Sequence, residues 1–229
     1  MDPELENSEM KKYAAQQELM TILDKKSEVG APLARLSTKA TIPLDVEKGN
    51  HEYNFCELMA PKLRDAQVLD LFCGANSFKN YVQEHGFPGS VTGVDIDSEK
   101  ADITADVAKI DQVLPPTGQF DIVTSCGSVP GVEDYETSAK YLKSDGLYVM
   151  GASLEWMNED VLPLINDPDL INNLSPTAQA DARKFLRFFK PVVAVDVLDI
   201  PNSFGIKDLS DSYLICSKQE EENKKESDV

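Results

Sequence analysis

The segment Val68-Leu69-Asp70-Leu71-Phe72-Cys73-Gly74-Ala75-Asn76-Ser77-Phe78 decides the fold. A short apolar run ends in a polar, glycine-containing turn, and a helix-like stretch opens directly behind it. Ser77 can cap that helix, His85 suits its negative end and Gly86 can terminate it. Further apolar runs follow at Val91–Ile96, Phe120–Ser125 and Leu147–Ala152, separated by polar stretches. Continuous apolar runs of this length fit strands buried on both faces, as a parallel sheet covered by helices requires. Strand–helix–strand units of this kind join parallel strands through right-handed crossovers. Two more strands are predicted at Val192–Ile200 and Ser212–Ser217, parted by the turn-rich Pro201-Asn202-Ser203-Phe204-Gly205.

A turn of this kind lets ligand atoms approach the backbone and the exposed amides at a helix start. Asp95 ends the next run, 21 positions after Gly74. That is near the roughly 20-residue separation expected of a carboxylate that accepts hydrogen bonds from a ribose. A dinucleotide needs Gly-x-Gly-x-x-Gly so that its pyrophosphate can sit against the helix start. This loop has one glycine, Gly74, with Phe72 and Asn76 in the neighbouring slots. S-adenosylmethionine carries no phosphate, so its loop tolerates side chains and instead seats an amino-acid moiety. The single glycine therefore disfavours a nicotinamide-dependent oxidoreductase.

Asp70-Leu71-Phe72-Cys73-Gly74 resembles the first motif of class I S-adenosylmethionine-dependent methyltransferases, in the variant that begins Asp-Leu-Phe-Cys-Gly. Val91-Thr92-Gly93-Val94-Asp95-Ile96-Asp97 resembles their second motif, which implies Asp95 as the ribose ligand and Ile96 beside the adenine. Ala105-Asp106-Val107 is similar to the third, where the Asp reaches the adenine amino group and the next residue packs on the ring. Phe120-Asp121-Ile122-Val123-Thr124-Ser125 resembles the fourth strand, and Leu142-Lys143-Ser144-Asp145-Gly146-Leu147 the turn into the fifth. The match covers about Gln67 to Ala152, in order and with suitable spacing, and the last two strands fit the family's closing hairpin. The resemblance implies a Rossmann-like three-layer α/β sandwich with a mostly parallel seven-stranded sheet and an antiparallel last strand. It also implies S-adenosylmethionine as cofactor, bound by Asp70, Phe72, Cys73, Gly74, Asp95, Ile96, Asp106, Val107 and Ser125.

Two positions depart from the pattern. Asn76 stands where the family has its last loop glycine, although Asn tolerates left-handed backbone angles better than most residues. The path from Asp97 to Ile103 is too short for the usual helix between the second and third strands, which would leave the adenine side of the pocket more open.

The rest of the chain bounds the function. Asp and Glu outnumber Lys and Arg by 40 to 22, a formal charge of −18 over 229 residues. Such a balance repels phosphate backbones and disfavours nucleic acid as a partner. Arg183, Lys184 and Arg187 read as the solvated face of a helix. Cys56, Cys73, Cys126 and Cys216 form no Cys-x-x-Cys pair, and with only His51 and His85 beside them no metal site is predicted. Cys73 reads as a small core residue rather than a nucleophile, because nothing marks a partner for a thiolate. The start Met-Asp-Pro-Glu-Leu-Glu has no apolar stretch behind it, and no run is long enough to cross a bilayer. The expected compartment is the cytoplasm.

Residues 1–50 read as an N-terminal helical extension or lid, with a helix over Ser8–Asp24 and a mixed segment, Gly30 to Gly49, broken by Pro32 and Pro43. A second helix is predicted over His51–Leu63, with Tyr53, Phe55, Leu58 and Met59 facing a core. The methyltransferase domain would span 51–218, with a helical insertion over about 154–189 punctuated by Pro163, Pro168 and Pro176. Ser175-Pro176 puts a capping Ser before a Pro at a first helical position. The charged tail 219–229 is expected to be disordered.

Bland readings stand beside the sharp ones. Asp70, Asp95 and Asp106 can each cap a turn at a strand end. Trp156, Met157 and the Phe185–Phe188–Phe189 cluster could line an acceptor pocket or an ordinary helical core. Ser125-Cys126-Gly127-Ser128-Val129-Pro130 is not the Asn-Pro-Pro-Tyr type of motif used on amide or exocyclic nitrogens. The resulting expectation is methyl transfer to a small-molecule acceptor, with no catalytic base assigned and Glu133, Asp134 and Tyr135 as nearby candidates. The alternative is a methyltransferase-like partner protein that has lost catalysis, which Asn76, the missing base and the acidic surface would favour. The oligomeric state is not legible.

Overall fold

The computed structural model describes residues 3–25, 34–37, 52–84, 86, 89–97, 99–116, 118–125, 135–153, 172, 175–196 and 211–219. Its elements run α1 (Pro3–Asp24), β1 (Ala34–Ser37), α2 (Glu52–Leu63), β2 (Gln67–Leu71), α3 (Ser77–Glu84), β3 (Ser90–Asp95) and β4 (Ile103–Thr104). A 3₁₀-helix (Val107–Gln112) then leads to β5 (Phe120–Ser125), α4 (Tyr135–Tyr141) and β6 (Leu142–Ser153). The described chain closes with α5 (Pro176–Phe188), β7 (Phe189–Asp196) and β8 (Asp211–Lys218).

The eight strands form one sheet in the order β1-β7-β8-β6-β5-β2-β3-β4. All pairings are parallel except those of β8, which runs antiparallel to both β6 and β7. The fold is therefore Rossmann-like α/β, with the last strand reversed as the family resemblance implies. An eighth strand, β1, is added from the N-terminal segment, pairing Ala34–Ser37 in parallel with Val193–Asp196.

Side chains of successive strand residues point to opposite faces, and each face carries its own core. Val68, Ile122, Val149, Val193, Val195 and Ile215 lie in one core, with Ala15, Leu19 and Leu23 of α1, Leu58, Met59 and Leu63 of α2, and Phe78 and Val82 of α3. Leu69, Leu71, Val123, Tyr148, Ala194 and Leu214 lie in the other, with Val107 and Ile110 of the 3₁₀-helix, Tyr135 and Ala139 of α4, and Phe185 of α5. A sheet so covered is buried on both faces, which is why its strands read as unbroken apolar runs. On α1 the buried positions Ala15, Leu19 and Leu23 recur every four residues, giving the stripe a helix needs to dock. Met10 and Tyr13, counted among its apolar positions in the sequence, are exposed.

Several strand limits differ from the sequence reading for identifiable reasons. β7 begins at Phe189, not Val192, because the register shift between Pro191 and Val193 accommodates a residue with no N–H to donate. β6 begins at Leu142 because a bulge opposite Phe120–Ile122 absorbs the Lys143–Gly146 turn. At that end of the sheet, Asp121 accepts hydrogen bonds from the Gln67 amide (2.9 Å) and the Lys143 ammonium (2.6 Å), tying β2, β5 and β6 together. Pro176 opens α5 as predicted, and the Gln179 amide donates to the Ser175 carbonyl. No helix among the described residues is long and apolar enough to cross a membrane.

The second core is centred on aromatic rings. Phe189 stacks on Tyr148 at 4.2 Å and meets Tyr135 and Phe185 at 6.5 and 5.9 Å. Phe189→Ala should therefore cost about 3–5 kcal/mol, seen as a lower urea midpoint with an unchanged slope. At Asp121, burial pulls the carboxyl up, but Lys143 and the Gln67 amide outweigh it and hold it below its ordinary value of 3.8. A carboxylate depressed in the folded state contributes stability above its unfolded value and loses it as pH falls through the folded one. Asp121→Asn should accordingly lower the melting temperature at pH 7, and the gap to wild type should close towards pH 3.

Candidate functional site

Strand β2 lies between β3 and β5, and the chain leaves it towards β3 and β4 on one side and β5 and β6 on the other. In open α/β sheets such a switch point leaves a crevice at the carboxyl ends of the strands. The register brings the predicted residues to that edge. Leu71 pairs with Val94, so Phe72 and Cys73 sit beside Asp95, and Asp95 pairs with Thr104, placing Ala105 and Asp106 next along. Asp70 pairs with Thr124, which sets Ser125 beside Leu71.

The turn after β2 is unusually folded. Phe72, Gly74 and Asn76 all have positive φ, at 60°, 52° and 60°. Gly adopts such angles without cost, Asn tolerates them, and for Phe they are strained. The Cys73 amide donates to the Val94 carbonyl and the Asn76 amide to the Cys73 carbonyl, closing the turn onto β3. A side-chain carbon added at Gly74 would meet nothing within 4 Å among the described residues, so space lies open in front of the glycine there.

Asp95 faces this turn. Its Oδ2 accepts from the Gly74 amide at 2.9 Å and its Oδ1 from the Asp97 amide at 3.0 Å. An ionised carboxylate offers about four acceptor positions, so, counting partners among the described residues, each oxygen keeps one for a ligand hydroxyl. The next residue, Ile96, is 58% exposed, a large apolar side chain left in the open at the strand end. Asp70 is 6% exposed and accepts from the Thr124 hydroxyl at 2.6 Å, bridging β2 and β5 beneath the crevice. Ser125 is buried at the end of β5.

The remaining site residues have quieter roles in the described structure. Asp106 caps the 3₁₀-helix, accepting from the Ala108 amide at 3.0 Å, which is the bland reading of that residue. Val107 is buried in the second core. Burial pushes the Cys73 thiol up to about 12, and the negative charges of Asp70, Asp95 and Asp102 add to it, so the sulfur stays protonated at neutral pH. Phe185 and Phe189 are buried core, and Tyr135 is buried beside them. Cys56 lies within α2, while His51, His85, Cys126, the Gly127–Pro130 segment, Glu133, Asp134, Trp156, Met157 and the tail beyond Gln219 lie outside the described residues.

Asn76 adopts the left-handed angle its position requires, so the departure from glycine is accommodated. Its side chain turns inward, 5% exposed, and its Nδ2 donates to the Lys100 carbonyl at 2.6 Å. A carbon added at Gly93 would lie 1.8 Å from Asn76 Oδ1 and 2.8 Å from Cys73 Sγ, so β3 has room for both side chains only with a glycine there. Sequence reasoning missed Gly93, Thr124, Lys79 and Asp102. An isolated glycine inside a strand is a signal of close approach and could have marked Gly93. The others are joined only by tertiary pairing and carry no local signal.

No family model and no curated protein matches the chain. Solved structures with a similar chain path include a protein from Pyrococcus horikoshii OT3, at 16% identity over 80% of this chain and 95% of that one, TM-score 0.49. A second is an S-adenosylmethionine-dependent methyltransferase from Mesorhizobium loti, at 20% identity over 75% and 99%, TM-score 0.46. A third is a Burkholderia thailandensis 1,6-didemethyltoxoflavin-N1-methyltransferase with bound S-adenosylhomocysteine, at 16% identity over 77% and 82%, TM-score 0.47.

The protonated state of Cys73 is open to direct test. Iodoacetamide at pH 8, followed by peptide mapping, should label Cys73 far more slowly than a free cysteine peptide, whose thiolate fraction is substantial there.

Proposed function

We propose that the chain binds S-adenosylmethionine across the carboxyl ends of β2 and β3 and transfers its methyl group to a small-molecule acceptor. The observation that carries this reading is Asp95: a strand-end carboxylate that braces the single-glycine turn, keeps an acceptor position free on each oxygen, and stands beside an exposed isoleucine. A ribose on Asp95 would set an adenine against Ile96, and the open space before Gly74 would admit the amino-acid moiety. A phosphate-bearing dinucleotide fits less well, because Phe72 and Asn76 occupy the positions where its loop needs glycine.

When bound, S-adenosylmethionine supplies an electrophilic methyl group on a sulfonium. The chain contributes position, the factor by which an enzyme converts a bimolecular displacement into an intramolecular one. Asp95 orients the ribose, Ile96 and the 97–106 segment flank the base, and the left-handed turn seats the amino-acid end. Thr124 holds Asp70 in one rotamer beneath that turn. A small acceptor is favoured over a nucleic acid by the charge of −18, and the Ser125–Pro130 sequence lacks the motif used on exocyclic nitrogens. Asn76 no longer speaks for a protein that has lost its cofactor, since its backbone already takes the angle the loop demands.

Calorimetric titration with S-adenosylmethionine and S-adenosylhomocysteine tests the reading. Micromolar binding, roughly −8 kcal/mol, is expected, with NAD binding more weakly. Asp95→Ala removes two charge-assisted hydrogen bonds to the ribose and should weaken binding by about 100-fold or more. Tighter binding of NAD, or an affinity indifferent to Asp95, would reject the proposal.

A further inference from the structure

Among the described residues the connection from β3 to β4 has no helix to hold it, yet it carries Ile96. It leaves the sheet after Asp95 and returns at Asp102, where it is clamped at its base. The Gly93 amide donates to Asp102 Oδ2 at 2.8 Å, and the Asp102 amide donates back to the Gly93 carbonyl at 3.0 Å. The other Asp102 oxygen takes the ammonium of Lys79, from the first turn of α3. Asn76, one residue before α3, grips the same connection a little further out, through the Lys100 carbonyl. Burial pulls the Asp102 carboxyl up, but the Gly93 amide, Lys79 and Asn76 outweigh it and hold it below its ordinary value. The clamp is thus closed in its charged form at neutral pH.

Two features show that the asparagine side chain, and not only its backbone angle, is built into this arrangement. The amide is buried and turned away from the crevice, and β3 has given up a side chain at Gly93 to receive it. A glycine at position 76 would satisfy φ 60° equally well and would leave that space empty.

We propose that Asn76, Asp102 and Lys79 are positioning residues, a side-chain staple that fixes the 97–102 connection so that Asp95 and Ile96 stay set for the adenosine half of the ligand. The inference rests on the cofactor reading above. It assigns these residues no contact with the ligand and no part in the chemistry.

The test compares two ligands, S-adenosylhomocysteine and 5′-methylthioadenosine, which share the adenosine half and differ in the amino-acid half. Asn76→Gly keeps the left-handed turn and deletes the asparagine arm of the staple. The loss of that one arm, with the Lys79–Asp102 pair left in place, should weaken both ligands by the same factor, about tenfold, at a temperature where near-ultraviolet circular dichroism shows the variant folded. Lys79→Met leaves the turn sequence intact and should weaken both by about threefold; it decides the matter if Asn76→Gly does not fold. Wild-type affinity in the folded variants would overturn the staple, and so would a loss confined to S-adenosylhomocysteine, since that would place the effect at the amino-acid seat. Failure of the wild type to bind either ligand would instead overturn the cofactor reading, and this inference with it.

Discussion

The turn from Phe72 to Asn76 puts three residues of five in the left-handed region, and the site depends on that one constraint. A chain leaving a parallel strand for a helix has to reverse its course within a few residues. Here it does so by alternating backbone hand, which points the Gly74 amide at Asp95 and leaves open space before the glycine. Glycine takes such an angle freely, asparagine at modest cost, and phenylalanine under strain. The strain at Phe72 is sustained by what surrounds it: the Cys73 and Asn76 amides are tied, Asp70 is locked by Thr124, and α3 begins immediately behind. Strained backbone held by its surroundings is a recurrent property of binding turns.

The same constraint explains the electrostatics of the edge. Asp70, Asp95 and Asp102 converge around the turn, and each is held by hydrogen bonds from neighbouring groups. Burial, with their combined field added to it, keeps Cys73 a neutral thiol. The cysteine at this edge is thereby a space-filling group rather than a nucleophile.

Much of this was legible in the sequence. The central strands announced themselves as unbroken apolar runs because both faces of the sheet are covered, and the spacing from Gly74 to Asp95 survived into a direct hydrogen bond. What was hidden has a common cause in non-local contact. β1 is four residues with a buried Leu36, and it becomes a strand only because β7 offers it an edge. The Phe185 and Phe189 aromatics read as pocket or core in the sequence, and packing of Phe189 on Tyr148 and of Phe185 on Phe189 makes them core. Asn76 reads in the sequence as a departure at a glycine position, and the room for its side chain appears only when β3 is laid beside it with Gly93 empty of side chain.

The central claim is that the crevice between the Phe72–Asn76 turn and the end of β3 is an adenosyl-ligand site. A crystal structure of the protein grown with S-adenosylhomocysteine tests it most directly. The account predicts both ribose hydroxyls within about 2.5–3.0 Å of the Asp95 carboxylate, the adenine against Ile96, and the turn unchanged. Ligand bound elsewhere on the chain, or a ribose held by groups other than Asp95, would contradict it.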